Sequence, residues 1–293
     1  MGERVTFIDT AAQSVRTSQG REIKYDVCVL ATGSNAGFPR YCTPERAASI
    51  DGIFVYRNIA DLEKLLAYAN HDGVKGGKAL VIGGGLLGLE AAKAGKKRSS
   101  LSTCSLLTHR LLRSSKITLV YDLEAIPDVA IINRSAFPLS RQIDNEAGEL
   151  VLQRIESLGV KVYTKCGVKD ILTTTSSAPN AASRNTETFA GLEFEDGTIL
   201  SAQLVIFAIG ISPRDDLARE SGIDVHKKGG IVVDDYLTTS AKDVYAIGEC
   251  ASWRGNTYGL IGPGGNVQWA ETPLALRHFL FFSSHLQWKW RIS

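Results

Sequence analysis

Residues 79–94 (Ala-Leu-Val-Ile-Gly-Gly-Gly-Leu-Leu-Gly-Leu-Glu-Ala-Ala-Lys-Ala) constrain the fold of this chain more than any other segment, because they place a strand, a turn and a helix start in immediate succession. Leu80, Val81 and Ile82 form a short apolar run suited to a strand buried on both faces, and residues 86–94 are good helix formers. Gly83, Gly85 and Gly88 stand at the G-x-G-x-x-G spacing, with Gly84, Leu86 and Leu87 between them. The first glycine suits a tight turn, the second lets backbone approach a pyrophosphate, and the third lets the helix pack closely on the strand. Free amides at the helix start, with the positive end of the helix dipole, favour phosphate charge. The segment therefore predicts a dinucleotide site. The bland alternative is a glycine-rich turn that matches by accident, and the strand before and helix after argue against it.

At 293 residues the chain is long enough for about two domains, and 44% apolar with 22% charged residues is ordinary for a globular protein. No apolar run reaches the roughly 18 residues needed to span a bilayer, and the N-terminus lacks the apolar core of a signal peptide, so a cytoplasmic location and no membrane partner are expected. The five cysteines are widely spaced, with no C-x-x-C and no metal-ligand pattern with histidine. That spacing argues against a redox dithiol and against iron–sulfur ligation, and no metal is expected. Residues 95–120 hold six Lys/Arg and no acid. They form one serine-rich run without interleaved aromatics, which does not fit a nucleic-acid partner.

Further along, residues 5–8 and 22–25 read as a hairpin leading into a buried strand at 26–31. Residues 57–70 have helical spacing, with Asn58 as N-cap. Residues 129–133 read as a strand, 144–158 as a helix stopped by Gly159, and 160–164 and 168–173 as strands. Residues 173–188 look like a solvated loop, and Asp196-Gly197 signals a hairpin. Residues 204–209 and 244–247 are further buried strands, each ending in glycine. This alternation predicts an α/β architecture with parallel sheets and a small antiparallel element.

Three strand-ending signatures stand in a set order: residues 29–34 (Val-Leu-Ala-Thr-Gly-Ser), the Gly83 loop, and residues 245–250 (Tyr-Ala-Ile-Gly-Glu-Cys). This order resembles the FAD-dependent pyridine nucleotide oxidoreductases. The resemblance implies two Rossmann-like dinucleotide-binding domains, with an NAD(P)H domain inserted into an FAD domain. By position, Ala31, Thr32 and Gly33 match the first crossover segment, and Ala208 and Gly210, in residues 208–213, match the second. Gly248 and Glu249 match the Gly-Asp that contacts FAD, with glutamate replacing the usual aspartate. Residues 83–94, 140–148 (Ser-Arg-Gln-Ile-Asp-Asn-Glu-Ala-Gly) and 248–253 followed by 258–261 (Tyr-Gly-Leu-Ile) resemble the flavoprotein region of the fungal assimilatory nitrite reductase branch. The domain bounds expected from it are 1–55 with 225–264 for a partial FAD domain, 56–224 for the NAD(P)H domain, and 265–293 for a tail outside the pattern.

The family's first G-x-G-x-x-G, for the ADP half of FAD, has no match here, so the FAD domain is expected to be incomplete and the chain truncated at both ends relative to the family. Siroheme and iron–sulfur segments are also unmatched, so electrons would pass to a separate module. The acidic residue that grips a coenzyme ribose is expected about 20 residues past the glycines. Asn133 lies 50 residues past Gly83, and excising residues 95–120 reduces this to 24 and joins two halves of a helix. The stretch therefore reads as an insertion, expected to be poorly ordered or to loop out of the fold and attributed to untranslated or intronic DNA carried into the reading frame; a genuine basic insertion that binds a partner is the alternative. In that register Asn133 ends the second strand and Arg134 follows, a neutral residue then a cation, which suits the 2′-phosphate of NADPH at least as well as the 2′-OH of NADH. Arg134 as a plain surface charge is the alternative. Glu90, two residues past Gly88, matches the family's acidic residue facing the nicotinamide, and it equally suits a helix N-terminal turn. The implied activity is hydride transfer from NAD(P)H to FAD, and the alternative is a non-catalytic coenzyme-binding remnant without flavin.

Overall fold

In the computed structural model, residues 2–94, 126, 128–175 and 187–257 are described. The expected insertion at 95–120, the segment 258–261 and the tail at 265–293 lie outside them. The chain divides into two compact units, one formed by residues 36–210 and the other by the residues before 36 and after 210.

The 36–210 unit is built on a five-stranded parallel sheet in the order Lys161–Tyr163, Asp128–Ile132, Lys78–Ile82, Leu204–Phe207, Ile53–Val55. Alternation along the three inner strands sorts side chains to opposite faces. Val81, Ile131 and Ile206 pack with Leu65, Ala69, Ala91 and Ala92 of helices Ile59–Ala69 and Leu86–Ala94. Leu80, Ile82, Ala130, Ile132, Val205 and Phe207 pack instead against Ile171, Phe189, Leu192 and Phe194. Those four belong to an antiparallel sheet, Val168–Thr175, Glu187–Phe194 and Ile199–Ser201, whose last two strands are the hairpin expected at Asp196-Gly197. The sheet is thus covered on both faces, as an all-parallel sheet requires. Helix Ile59–Ala69 starts with a capping box between Asn58 and Asp61, and helix Asn145–Ser157 is capped by Asp144.

In the other unit, Val5–Asp9, Ser14–Thr17 and Glu22–Lys24 form a three-stranded antiparallel sheet, with Ser14–Thr17 as a middle strand that the sequence reading passes over. Cys28–Leu30 pairs in parallel with Val244–Ala246. The strand expected to be buried throughout is not: Val27 is 57% and Val29 is 52% exposed, because among the described residues this strand has a single neighbour. Ile8, Leu30, Ile231, Val244, Ala246 and Trp253 share the core of this unit.

The unit boundaries differ from those expected. Ile53–Val55 is the edge strand of the five-stranded sheet, which carries residues 36–55 into the 36–210 unit. Helix Asp216–Glu220 packs beside Val5–Asp9, and Ser221 Oγ accepts the Ile8 amide at 2.9 Å, which holds residues 211–224 in the other.

Candidate functional site

The strand order of the 36–210 unit places Lys78–Ile82 at the centre, with the next strand in sequence on one side and Leu204–Phe207 on the other. Sequence order reverses at this point, and ligands of open α/β sheets bind beyond the carboxyl ends of strands at such a switch. Three expected segments meet there. The Gly83 amide donates to the Ile132 carbonyl at 3.0 Å, and the Ala208 amide to the Ile82 carbonyl at 2.9 Å, so the glycine turn, Asn133 and residues 208–210 leave adjacent strands side by side.

Each glycine of the turn meets a different constraint. Gly83 has φ +121°, and a Cβ there would run into the Ala208 carbonyl. A Cβ on Gly88 would drive into the Gly83 carbonyl, which is the close helix-on-turn packing that the spacing implies. At Gly84 a Cβ would lie 2.7 Å from Asn133 Oδ1 and 3.2 Å from Pro138 Cα. Among the described residues, a Cβ on Gly85 or on Gly210 would meet nothing within 4 Å. Backbone free of side-chain neighbours therefore lies beside the first turn of helix Leu86–Ala94, whose leading amides have no intrahelical acceptor. This cradle fits a diphosphate.

Asn133 follows directly on strand Asp128–Ile132. It is only 8% exposed, its Nδ2 donates to the Ser135 carbonyl at 2.9 Å, and its amide donates to the Tyr163 carbonyl at 2.8 Å. The side chain is turned inward as a clamp on the turn. Arg134 and Ser135, on the turn it clamps, are exposed. Glu90 stands in helix Leu86–Ala94, but its side chain and that of Leu87 lie outside the described residues.

The other unit carries the second cluster. Chain leaving Cys28–Leu30 passes through Ala31, Thr32, Gly33 and Ser34, and chain leaving Val244–Ala246 enters the turn Gly248–Cys250. The Ile247 amide donates to the Leu30 carbonyl at 2.9 Å and holds the two exits together. Ser34 Oγ donates to Glu249 Oε2 at 2.5 Å. Arg214 secures the same segment: its amide donates to the Gly33 carbonyl at 2.9 Å, its Nε donates to Asn35 Oδ1, and its carbonyl accepts from Thr32 Oγ1, both at 2.5 Å. Among the described residues, a Cβ on Gly33 or Gly248 would meet nothing within 4 Å, so the backbone there is open. The sequence reading missed Ser34 and Arg214. The serine ends the Ala-Thr-Gly segment and so carried a signal, whereas nothing local marks the arginine.

Among the described residues no group of three or more His, Cys, Asp or Glu side chains is placed to hold a metal ion, and Cys28, Cys42, Cys166 and Cys250 are free thiols. No helix among them is long and apolar enough to cross a membrane.

The profile of the family described as pyridine nucleotide-disulphide oxidoreductase matches residues 1–273. Nitrite reductase [NAD(P)H] of Neurospora crassa is 46% identical over 266 residues, 90% of this chain and 20% of that protein. The protein of the same name from Emericella nidulans is 41% identical over 265 residues, again 90% of this chain and 20% of the relative. This chain thus spans about a fifth of the length of these relatives. Among solved structures, the water-forming NADH oxidase of Lactobacillus brevis bound to NADH superposes with a TM-score of 0.66 at 19% identity, covering 98% of this chain and 53% of that one. Its engineered NADPH-bound form gives 0.64 at 21% identity, covering 98% and 53%. At these identities the solved structures establish the α/β fold alone. On the profile and the relatives, the chain belongs to the pyridine nucleotide-disulphide oxidoreductase family, whose cofactors are FAD and NAD(P)H.

Proposed function

We propose that this chain is the electron-input segment of a nitrite-assimilating enzyme, which binds NAD(P)H in the 36–210 unit and uses it to reduce FAD held in part by the other unit. The observation that carries the reading is the open backbone at Gly85, set between Asn133 and Ala208 at the carboxyl end of the central strand. The chemistry these cofactors supply when bound is hydride transfer from nicotinamide C4 to flavin N5. The protein's part is to hold and orient. The amides after Gly85 take the diphosphate, Gly83 and Gly88 keep the helix close enough for them to reach it, and Glu90 is assigned to the nicotinamide end from its place in the family pattern. Ala31, Thr32, Gly33, Gly248 and Glu249 are assigned to the flavin, and electrons then pass to a separate siroheme and iron–sulfur module.

NADPH is the coenzyme this site favours. The strand that ends at Ile132 is followed by no carboxylate to repel a 2′-phosphate, and Arg134 and Ser135 are exposed on a turn pinned from beneath by Asn133. The engineered oxidase that binds NADPH carries alanine, arginine and serine in place of a consecutive aspartate, alanine and methionine. Asn133, Arg134 and Ser135 repeat its order of a non-acidic residue, an arginine and a serine.

A second reading, a coenzyme-binding unit without flavin, is favoured by the two-stranded sheet of Cys28–Leu30 and Val244–Ala246 with its exposed Val27 and Val29. The visible spectrum separates the two. Protein incubated with FAD and desalted is expected to keep flavin absorption that NADPH bleaches without oxygen. A colourless protein that still binds NADPH would establish the second reading instead.

A further inference from the structure

Ser34 and Glu249 are 215 positions apart and meet where two paired parallel strands end. Ser34 is 6% exposed and Glu249 half-buried, and the Ser34 hydroxyl donates to a carboxylate oxygen of Glu249. Both neighbours of the pair on the chain, Gly33 and Gly248, face open space. The carboxylate is therefore held by the serine next to two glycines whose backbone, among the described residues, has no side-chain neighbour.

The grip matters because this residue is a glutamate. Compared with the aspartate usual at this place, it has one more methylene and one more rotatable bond, so it reaches farther and has more rotamer freedom to lose when a ligand orders it. A hydroxyl held at a fixed point removes part of that freedom in advance. Ser34 is so held: Thr32, Gly33 and Asn35 around it are all tied to Arg214. We propose that Ser34 is the positioning residue for Glu249, presetting its carboxylate to accept a hydroxyl of the flavin's ribityl chain, an assignment that rests on the flavin reading above.

The test is a double-mutant cycle read as FAD affinity, from quenching of flavin fluorescence on titration of the full chain. Ser34→Ala is expected to weaken FAD binding about ten-fold, and Ser34→Thr, which keeps the hydroxyl, by less than about two-fold. In the Glu249→Asp background, where the carboxylate is withdrawn from the hydroxyl by one methylene, Ser34→Ala is expected to cost less than about two-fold. An equal loss from Ser34→Ala in both backgrounds, or a Ser34→Thr protein as weak as Ser34→Ala, overturns the positioning role and leaves the flavin reading intact. An unmutated chain that takes up no FAD overturns both. Should Ser34→Ala fail to fold, Ser34→Cys, which replaces the hydroxyl with a far weaker donor, takes its place in the same cycle: a loss of FAD affinity that shrinks below about two-fold in the Glu249→Asp background supports the role, and equal losses in the two backgrounds refute it.

Discussion

The side-chain oxygen of Asn133 lies 2.7 Å from where a Cβ on Gly84 would stand, so the end of one strand and the middle of the glycine turn are fitted to each other. The Leu139 amide closes the same contact by donating to the Gly84 carbonyl at 2.8 Å. Gly84→Ala should cost about 1–3 kcal/mol, because Asn133 is buried and bonded and Pro138 offers only backbone to move. Urea denaturation of the two proteins side by side measures it, and a midpoint that does not move contradicts the fitted turn.

Gly85 and Gly88 should separate ligand binding from folding. An alanine at 88 pushes into the Gly83 carbonyl and is expected to lower stability by about 1–3 kcal/mol. At 85 there is free space, so stability should stay within about 0.5 kcal/mol while NADPH affinity falls at least about ten-fold, the methyl group now standing where the diphosphate rests. Thermal unfolding and coenzyme titration of both variants check the contrast. Full NADPH affinity in Gly85→Ala would move the coenzyme elsewhere.

Arg134→Ala should weaken NADPH about ten-fold and leave NADH within about two-fold, since the lost charge-assisted bonds go to the 2′-phosphate alone. Calorimetric titration with each coenzyme reads the ratio. An unchanged ratio makes Arg134 a surface charge.

Cys28 and Cys42 should be slow to alkylate. Burial pushes both thiols up from their ordinary value, with Arg46 opposing the effect at Cys42, so the reactive thiolate is scarce at neutral pH. Iodoacetamide at pH 7.5, followed by peptide mass spectrometry, is expected to label them about ten-fold more slowly than a free cysteine, with the rate climbing as pH is raised.

Asn58→Ala should cost about 1 kcal/mol, since the Asn58 side chain accepts the Asp61 amide at 3.0 Å while the Asp61 carboxylate takes the Asn58 amide at 3.1 Å. Denaturation midpoints test this, and coenzyme affinity should not change.

The parts of the fold legible in the chain were those with a local cause. The helix after Asn58, the helix after Asp144 and the turn at Asp196-Gly197 each carry their cap or turn residue within three or four positions. Ser14–Thr17 was not legible, for its four residues show no apolar alternation and owe their extended form to pairing on both sides. Val27 and Val29 misled for the converse reason: an apolar run reads as doubly buried, but burial depends on how many strands lie alongside.

Local sequence alone determined the strand, glycine turn and helix that make a dinucleotide cradle, because their bonds and steric limits span only a few residues. Tertiary structure decided what surrounds the cradle. Asn133 turns inward because its side-chain amide reaches the Ser135 carbonyl and Gly84 leaves room for it, and Ser34 finds Glu249 only because two distant strands pair and release their chains at the same edge. Those contacts join positions up to 215 residues apart, and no pattern confined to neighbours encodes such a meeting.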